Sequence, residues 1–225
     1  MCDGHEHPQP RRITLESDLL AKNDRHAEAL RERLVHSRIV AFNLIGAPGA
    51  GKTTLLERTI RALDGVPIAV IEGDQATDHD AQRIAKTGCA VMQVNTGQGC
   101  HLDATMIERG LQELQPGERS MLFVENVGNL VCPALFDLGE GRKVVLASLV
   151  EGDDKPLKYP HMFRAAEALV LTKLDLLPYV DLDPRKLVEH ARRIRPGLQV
   201  FPIAARKGEG LAEWCAWLRA HVEAA

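Results

Sequence analysis

The sequence predicts an α/β protein in three layers: a mostly parallel sheet of about seven strands with helices on both faces. Three observations carry that expectation. Seven short apolar runs rich in Val, Ile, Leu and Ala recur between residues 39 and 203. Amphipathic stretches of helical length separate many of them, and a glycine-rich segment leads from the first run into the first such stretch. Runs that stay apolar at every position suit strands covered on both faces, the environment of a parallel sheet. Alternation of strand and helix makes βαβ units with right-handed crossovers.

Taken in order, residues 1–13 carry two prolines and no apolar period, and are expected to form a loose arm. Residues 14–38 suit one helix, because Leu15, Leu19, Ala27, Leu30 and Leu34 fall near one face with charges elsewhere. Residues 39–225 are expected to form a single domain. Its strands are placed at 39–45, 67–71, 90–94, 121–124, 143–150, 168–171 and 199–203. Its helices are placed at 52–63, 79–87, 102–114, 184–194 and 210–220. No linker rich in Gly, Ser or Pro divides it.

Composition removes several functions. Apolar residues at 45% and charged residues at 26% are ordinary globular usage. A net charge of −3 lacks the basic excess of a protein held to nucleic acid by phosphate contacts. No apolar run approaches the roughly 18 residues of a membrane span, and the polar start lacks the pattern of a signal peptide. A cytoplasmic protein is expected. Five cysteines without framework spacing fit a reducing compartment with thiols free for metal.

Residues Gly46, Ala47, Pro48, Gly49, Ala50, Gly51, Lys52 and Thr53 fit G-x-x-x-x-G-K-[ST] between an expected strand and an expected helix. The expected architecture is therefore a P-loop NTPase fold. Backbone N–H groups of the curled loop would face phosphate oxygens, and the helix start adds its positive dipole end. Lys52 would reach the β- and γ-phosphates and Thr53 would bind Mg²⁺; Thr54 completes the nucleotide-contacting set.

Thr172, Lys173 and Asp175 stand at the end of a late strand in the pattern T-K-x-D. A carboxylate only accepts hydrogen bonds. Asp175 can take both the N1–H and N2–H₂ of guanine, whereas adenine offers a lone pair at N1. Lys173 would lie along the base. Ala204, Ala205 and Arg206 follow the last strand, where the Ala205 N–H would meet guanine O6. GTP or GDP is thus the expected nucleotide. Glu125 ends an apolar strand, the expected Walker B position. Gly128 can offer an N–H to a γ-phosphate, and Asp74, ending another strand, could hold Mg²⁺ or its water.

Cys100 and His101 are adjacent, and Cys132 lies in a Cys-Pro turn after the Glu125 strand. A thiolate, an imidazole and a second thiolate suit Ni²⁺ or Zn²⁺. Three ligands leave an open position, or await ligands from a second chain. Cys2, His5 and His7 in the arm are a further nickel set, with a solvated tail as the alternative. Cys89 and Cys215 read as packing residues.

The segments AKNDRHAEALRER, GAPGAGKTTLLERTI, VIEGDQATDHDAQRI, NTGQGCHLDA, ENVGNLVCPALFDLGE, EGDDKPLKYPHMFR and TKLDLLPYVDLDP together resemble the HypB family. These are SIMIBI-class GTPases that assist nickel insertion into nickel–iron hydrogenase. The resemblance runs from about residue 14 to the end. It implies a metal-regulated GTPase that forms a GTP-dependent homodimer with Cys100, His101 and Cys132 at or near its interface; no arginine finger is evident in the sequence, so slow hydrolysis is expected. It also implies Lys155 and Lys158 as further nucleotide contacts, including across the dimer. The implied partners are a HypA-type nickel metallochaperone and the hydrogenase large-subunit precursor. The arm departs from the family, many members of which carry C-x-x-C-G-C or a His-rich tract there. Two alternatives stay open: a nucleotide-binding nickel or zinc store with incidental hydrolysis, and a urease-type nickel GTPase. The latter typically carries Cys-Pro-His, where this chain has Cys132-Pro133-Ala134.

Overall fold

The computed structural model describes residues 11–75, 77–97 and 99–225. Its strands are β1 (Val40–Gly46), β2 (Ile68–Asp74), β3 (Ala90–Asn95), β4 (Met121–Glu125), β5 (Arg142–Ser148), β6 (Ala168–Thr172) and β7 (Gln199–Pro202). Its helices are α1 (Arg11–His36), α2 (Lys52–Ala62), α3 (His79–Ala85), α4 (Ala104–Leu114), α5 (Cys132–Leu135), α6 (Lys155–Lys158), α7 (Pro160–Ala165), α8 (Pro184–Ile194) and α9 (Leu211–Glu223). One sheet runs β3-β2-β4-β1-β5-β6-β7, and every pairing in it is parallel. The architecture is that of an α/β P-loop protein.

Alternation along the strands sorts the core into layers. Phe42 and Leu44 of β1 point into a cluster with Leu55, Leu56, Trp214 and Leu218, contributed by α2 and α9. Ala41 faces the opposite side, where Leu30 and Leu34 of α1 and Ile107 and Leu111 of α4 cover β2 and β4. Ile45 joins Met162, Phe163, Leu187 and Ala191 of α7 and α8 over β5 and β6. The C-terminal ends of the strands form one edge, where ligands of open parallel sheets bind.

Two expectations change. Helix α1 begins at Arg11, inside the stretch assigned to the arm. Leu19 is 55% exposed, and Leu20 instead packs against the cluster that holds Leu30 and Leu34. Ala27, Leu30 and Leu34 are buried as the spacing suggested, so the seam departs only at Leu19 among the described side chains. Helices α5, α6 and α7 were not anticipated. Each has a proline in its first turn, which supports a helix start, but each is too short to show a period.

Candidate functional site

A cavity of about 690 Å³ opens at the C-terminal edge of β1, β2, β4 and β6. The loop from β1 to α2 forms its floor. Gly51, with φ +95°, precedes α2 in a left-handed conformation that a side chain would strain. Lys52 is buried and folds its ammonium back toward the carbonyls of Gly46 and Ala47, 3.4 and 3.5 Å away. Pro48, Gly49, Gly51, Lys52, Thr53 and Thr54 line the cavity. Gly46, Ala47 and Ala50 lie behind them: Gly46 in β1, Ala50 fully buried. A Cβ on Gly128 would stand 2.8 Å from Pro48 Cγ, so the turn after β4 presses directly on this loop.

Acidic residues face the loop. Thr53 Oγ1 donates to Glu125 Oε1 at 2.8 Å. Register pairs Glu72 of β2 with Glu125 of β4. Both are buried, and the second oxygen of each lacks a hydrogen-bond partner. Burial, then repulsion from Glu125, Asp74 and Asp80, raises Glu72 to about 8. Burial raises Glu125 to about 7 against the opposing pull of Lys52 and Thr53. Asp74 accepts from the Gln75 N–H at 2.5 Å and from Thr77 Oγ1 at 2.8 Å.

At the other end, Thr172, Lys173, Asp175, Ala205 and Arg206 line the same cavity. Thr172 Oγ1 donates to the Ala50 carbonyl at 2.7 Å, tying β6 to the phosphate loop. Lys173 sits at φ +61°, a strained region for a residue with a side chain. Ala204 is buried behind the lining and pairs with Glu209. Lys155 and Lys158 lie outside the lining. Lys155 is buried against Glu151, and burial and nearby Lys52 push it down to about 8. Lys158 is exposed and pairs with Asp154 at 2.6 Å.

Cys100, His101 and Cys132 converge beside this cavity, their ligand atoms all within 4.8 Å of one another. The two sulfurs are 3.1 Å apart, and Cys100 Sγ is 3.6 Å from His101 Nδ1. Local chemistry explains the approach. Asp103 caps α4 by accepting from the Met106 N–H at 2.8 Å, fixing the exit of the Cys100 loop. Asn129 Nδ2 donates to the Cys100 carbonyl at 3.1 Å, joining that loop to the one before Cys132. His101 stacks on Phe136 with ring centroids 3.7 Å apart. Burial holds the His101 ring below its usual range, which keeps a nitrogen lone pair free. Burial, and then Cys100, push the Cys132 thiol up; a bound cation would reverse that. Cys2, His5 and His7 lie outside the described residues. Cys89 and Cys215 are packing residues of the α2–α9 side.

Glu72, Gln75, Asp80, Arg83 and Asn126 also line the cavity and were missed in the sequence. Arg83 of α3 donates to Thr54 Oγ1 at 3.0 Å and pairs with Glu57 at 2.6 Å. The available signals were the charged segment after Asp74 and the second acid two residues before it.

A phosphate loop with buried carboxylates opposite it defines a nucleotide-binding P-loop protein. Residues 40–202 match the model of the CobW/HypB/UreG nucleotide-binding domain family. The hydrogenase maturation factor HypB of Azotobacter chroococcum mcd 1 is 53% identical over 211 residues, covering 93% of this chain and 69% of that protein. The crystal structure of HypB from Archaeoglobus fulgidus superposes with a TM-score of 0.84 at 40% identity, over 90% of this chain and all of that one. HypB from Helicobacter pylori, solved in complex with nickel, matches at TM-score 0.84 and 35% identity, over 90% of this chain and 95% of that one. The chain belongs to the HypB family of hydrogenase maturation factors.

Proposed function

We propose that the protein is a metal-regulated GTPase that assists nickel delivery into the nickel–iron hydrogenase active site during maturation. One observation carries this reading: a Cys–His–Cys cluster with ligand atoms within 4.8 Å forms where the loop after β4, which lines the nucleotide cavity at Val127 and Gly128, meets the Cys100–His101 loop. Soft thiolates and an imidazole suit Ni²⁺ or Zn²⁺, and the H. pylori relative was solved with nickel. Nickel is then the cargo.

Asp175 selects GTP over ATP, with Lys173 along the base and Thr172 holding the phosphate loop in place. Ala204 orients the Ala205–Arg206 turn toward the base. Thr53, Asp74 and Glu125 offer hard oxygen donors, and the unpartnered Glu125 Oε2 fits a divalent cation such as Mg²⁺. Such an ion would neutralise charge on the β- and γ-phosphates. Lys52 holds the same phosphates, and Gly128 presents its N–H to the γ-phosphate. Turnover is slow, on the order of 10⁻⁴–10⁻² per second, the range of P-loop GTPases acting without an arginine finger from a partner. The enzyme works as a timer: loss of the γ-phosphate relaxes the Glu125–Cys132 segment and changes the metal's ligands.

The working form is a GTP-dependent cytoplasmic homodimer with the cluster at its interface and Lys155 and Lys158 near the nucleotide. It receives nickel from a HypA-type metallochaperone and serves the hydrogenase large-subunit precursor. Cys2, His5 and His7, ahead of α1 in the sequence, add a second nickel set. Metal content and oligomeric state, measured with GDP and with a non-hydrolysable GTP analogue, test the reading. Cys132→Ala should lose both the metal and the analogue-dependent dimer. Retention of both would overturn it.

A further inference from the structure

The face of the sheet between the α1–α4 and α7–α8 clusters is not wholly apolar. Asn43 stands in the middle of β1, fully buried, between Phe42 and Leu44. Its Nδ2 donates to Glu140 Oε1 at 3.0 Å. Its Oδ1 accepts from Asn126 Nδ2 at 3.2 Å. Asn126 is 1% exposed and follows Glu125 directly. Its single oxygen takes two backbone donors, the Val127 N–H at 3.0 Å and the Leu102 N–H at 3.3 Å. Backbone N–H groups only donate, so the orientation of this amide is dictated by its partners.

The two ends of the network reach two different sites. Val127 adjoins Gly128, the glycine pressed on Pro48 of the phosphate loop. Leu102 adjoins His101. A second branch reaches the same histidine: Glu140 pairs with Lys143 at 3.3 Å, and Lys143 Nζ donates at 2.9 Å to the carbonyl of Phe136, the ring stacked on His101.

We infer that Asn126 is the latch between the γ-phosphate turn and the Cys100–His101–Cys132 cluster, a positioning residue that passes nucleotide state to metal affinity. This rests on the coupled GTPase reading above. The physical reason is competition for one buried oxygen. When Gly128 shifts to meet a γ-phosphate, Val127 N–H shifts with it. At 1% exposure, solvent cannot replace a lost partner, and an unpaired buried amide is costly. The Asn126 side chain therefore follows Val127, and the longer Leu102 bond yields. The His101 backbone then moves, with Phe136 holding its ring from the other side.

The test is Ni²⁺ affinity, by chelator competition, of the full chain loaded with GDP or with a non-hydrolysable GTP analogue. In the native protein the two affinities should differ by about fivefold or more, the usual scale of coupling between sites. In Asn126→Ala, measured at saturating nucleotide, the ratio should fall within about twofold of one. A purely structural role would lower melting temperature and Ni²⁺ affinity alike in both nucleotide states and leave the ratio intact; that result overturns the latch. A ratio of one in the native protein overturns the coupled reading itself, so the two failures are distinct. If Asn126→Ala does not fold, Asn43→Ala removes the lateral support of the same amide. Its ratio should also move toward one, and an unchanged ratio overturns the inference.

Discussion

In the proposed GTPase, nucleotide identity turns on Asp175. It lines the cavity at the start of a short helical turn after Lys173, whose left-handed backbone aims the segment inward. Its carboxylate can accept two donors from guanine and none from adenine. Hydrogen bonds to a charged acceptor contribute about 1.5–3 kcal/mol each, so losing two costs about 3 kcal/mol or more, a hundredfold or greater in affinity. Asp175→Asn should weaken GTP binding by at least that factor and favour XTP, whose C2 carbonyl accepts the new amide N–H. Fluorescence titration with the three nucleotides checks it. Equal affinity of the native protein for ATP and GTP would remove the basis for guanine selection.

At the scale of elements, α1 is a clamp on the two loops that carry Cys100, His101 and Cys132. Asn23, 7% exposed, accepts the Ala104 N–H at 2.9 Å and donates to the Asp137 carbonyl at 2.8 Å. Ala104 opens α4 just after His101; Asp137 follows α5, which carries Cys132. Asn23→Ala strands both backbone groups and should cost about 2–3 kcal/mol, lowering the melting temperature by roughly 5–10 °C for a chain of this size. Arg31 also reaches Asp137, at 2.5 Å, but both side chains are about one-third exposed. Arg31→Ala should cost under about 1 kcal/mol. Thermal melts that rank the two variants the other way would refute the clamp. The sequence carried the strands because apolar runs need no partner to be read. It carried Cys100, His101 and Cys132 because two are adjacent and the third sits in a Cys-Pro turn. It hid the Asn43–Asn126–Glu140 network and Glu72, because pairing Glu72 with Glu125 depends on strand order, which no local pattern records. The visible clue was an Asn inside VAFNLIG, a polar residue in an otherwise apolar strand.

For the molecule as a whole, the order β2-β4-β1 brings Glu72 and Glu125 into one buried cluster opposite Lys52, and that sets how stability depends on pH. Unfolded, both carboxyls titrate near 4.5; folded, they hold protons up to about 8 and about 7. Across that window the folded state binds more protons than the unfolded one. The stabilising contribution is therefore complete below about pH 4.5 and is lost as pH rises through 7 to 8. The nucleotide- and metal-free protein should show a melting temperature that declines between pH 5.5 and 8. Glu72→Gln cannot ionise at that position and should flatten the decline. A native decline matched in Glu72→Gln would place its origin elsewhere. In the proposed cation site, Mg²⁺ with GDP would favour the ionised carboxylates instead, so binding should release protons and the added stabilisation should grow with pH. Calorimetry in buffers of different ionisation enthalpy measures that release. Zero proton release at pH 6.5 would mean that the buried carboxyls are not part of the cation site.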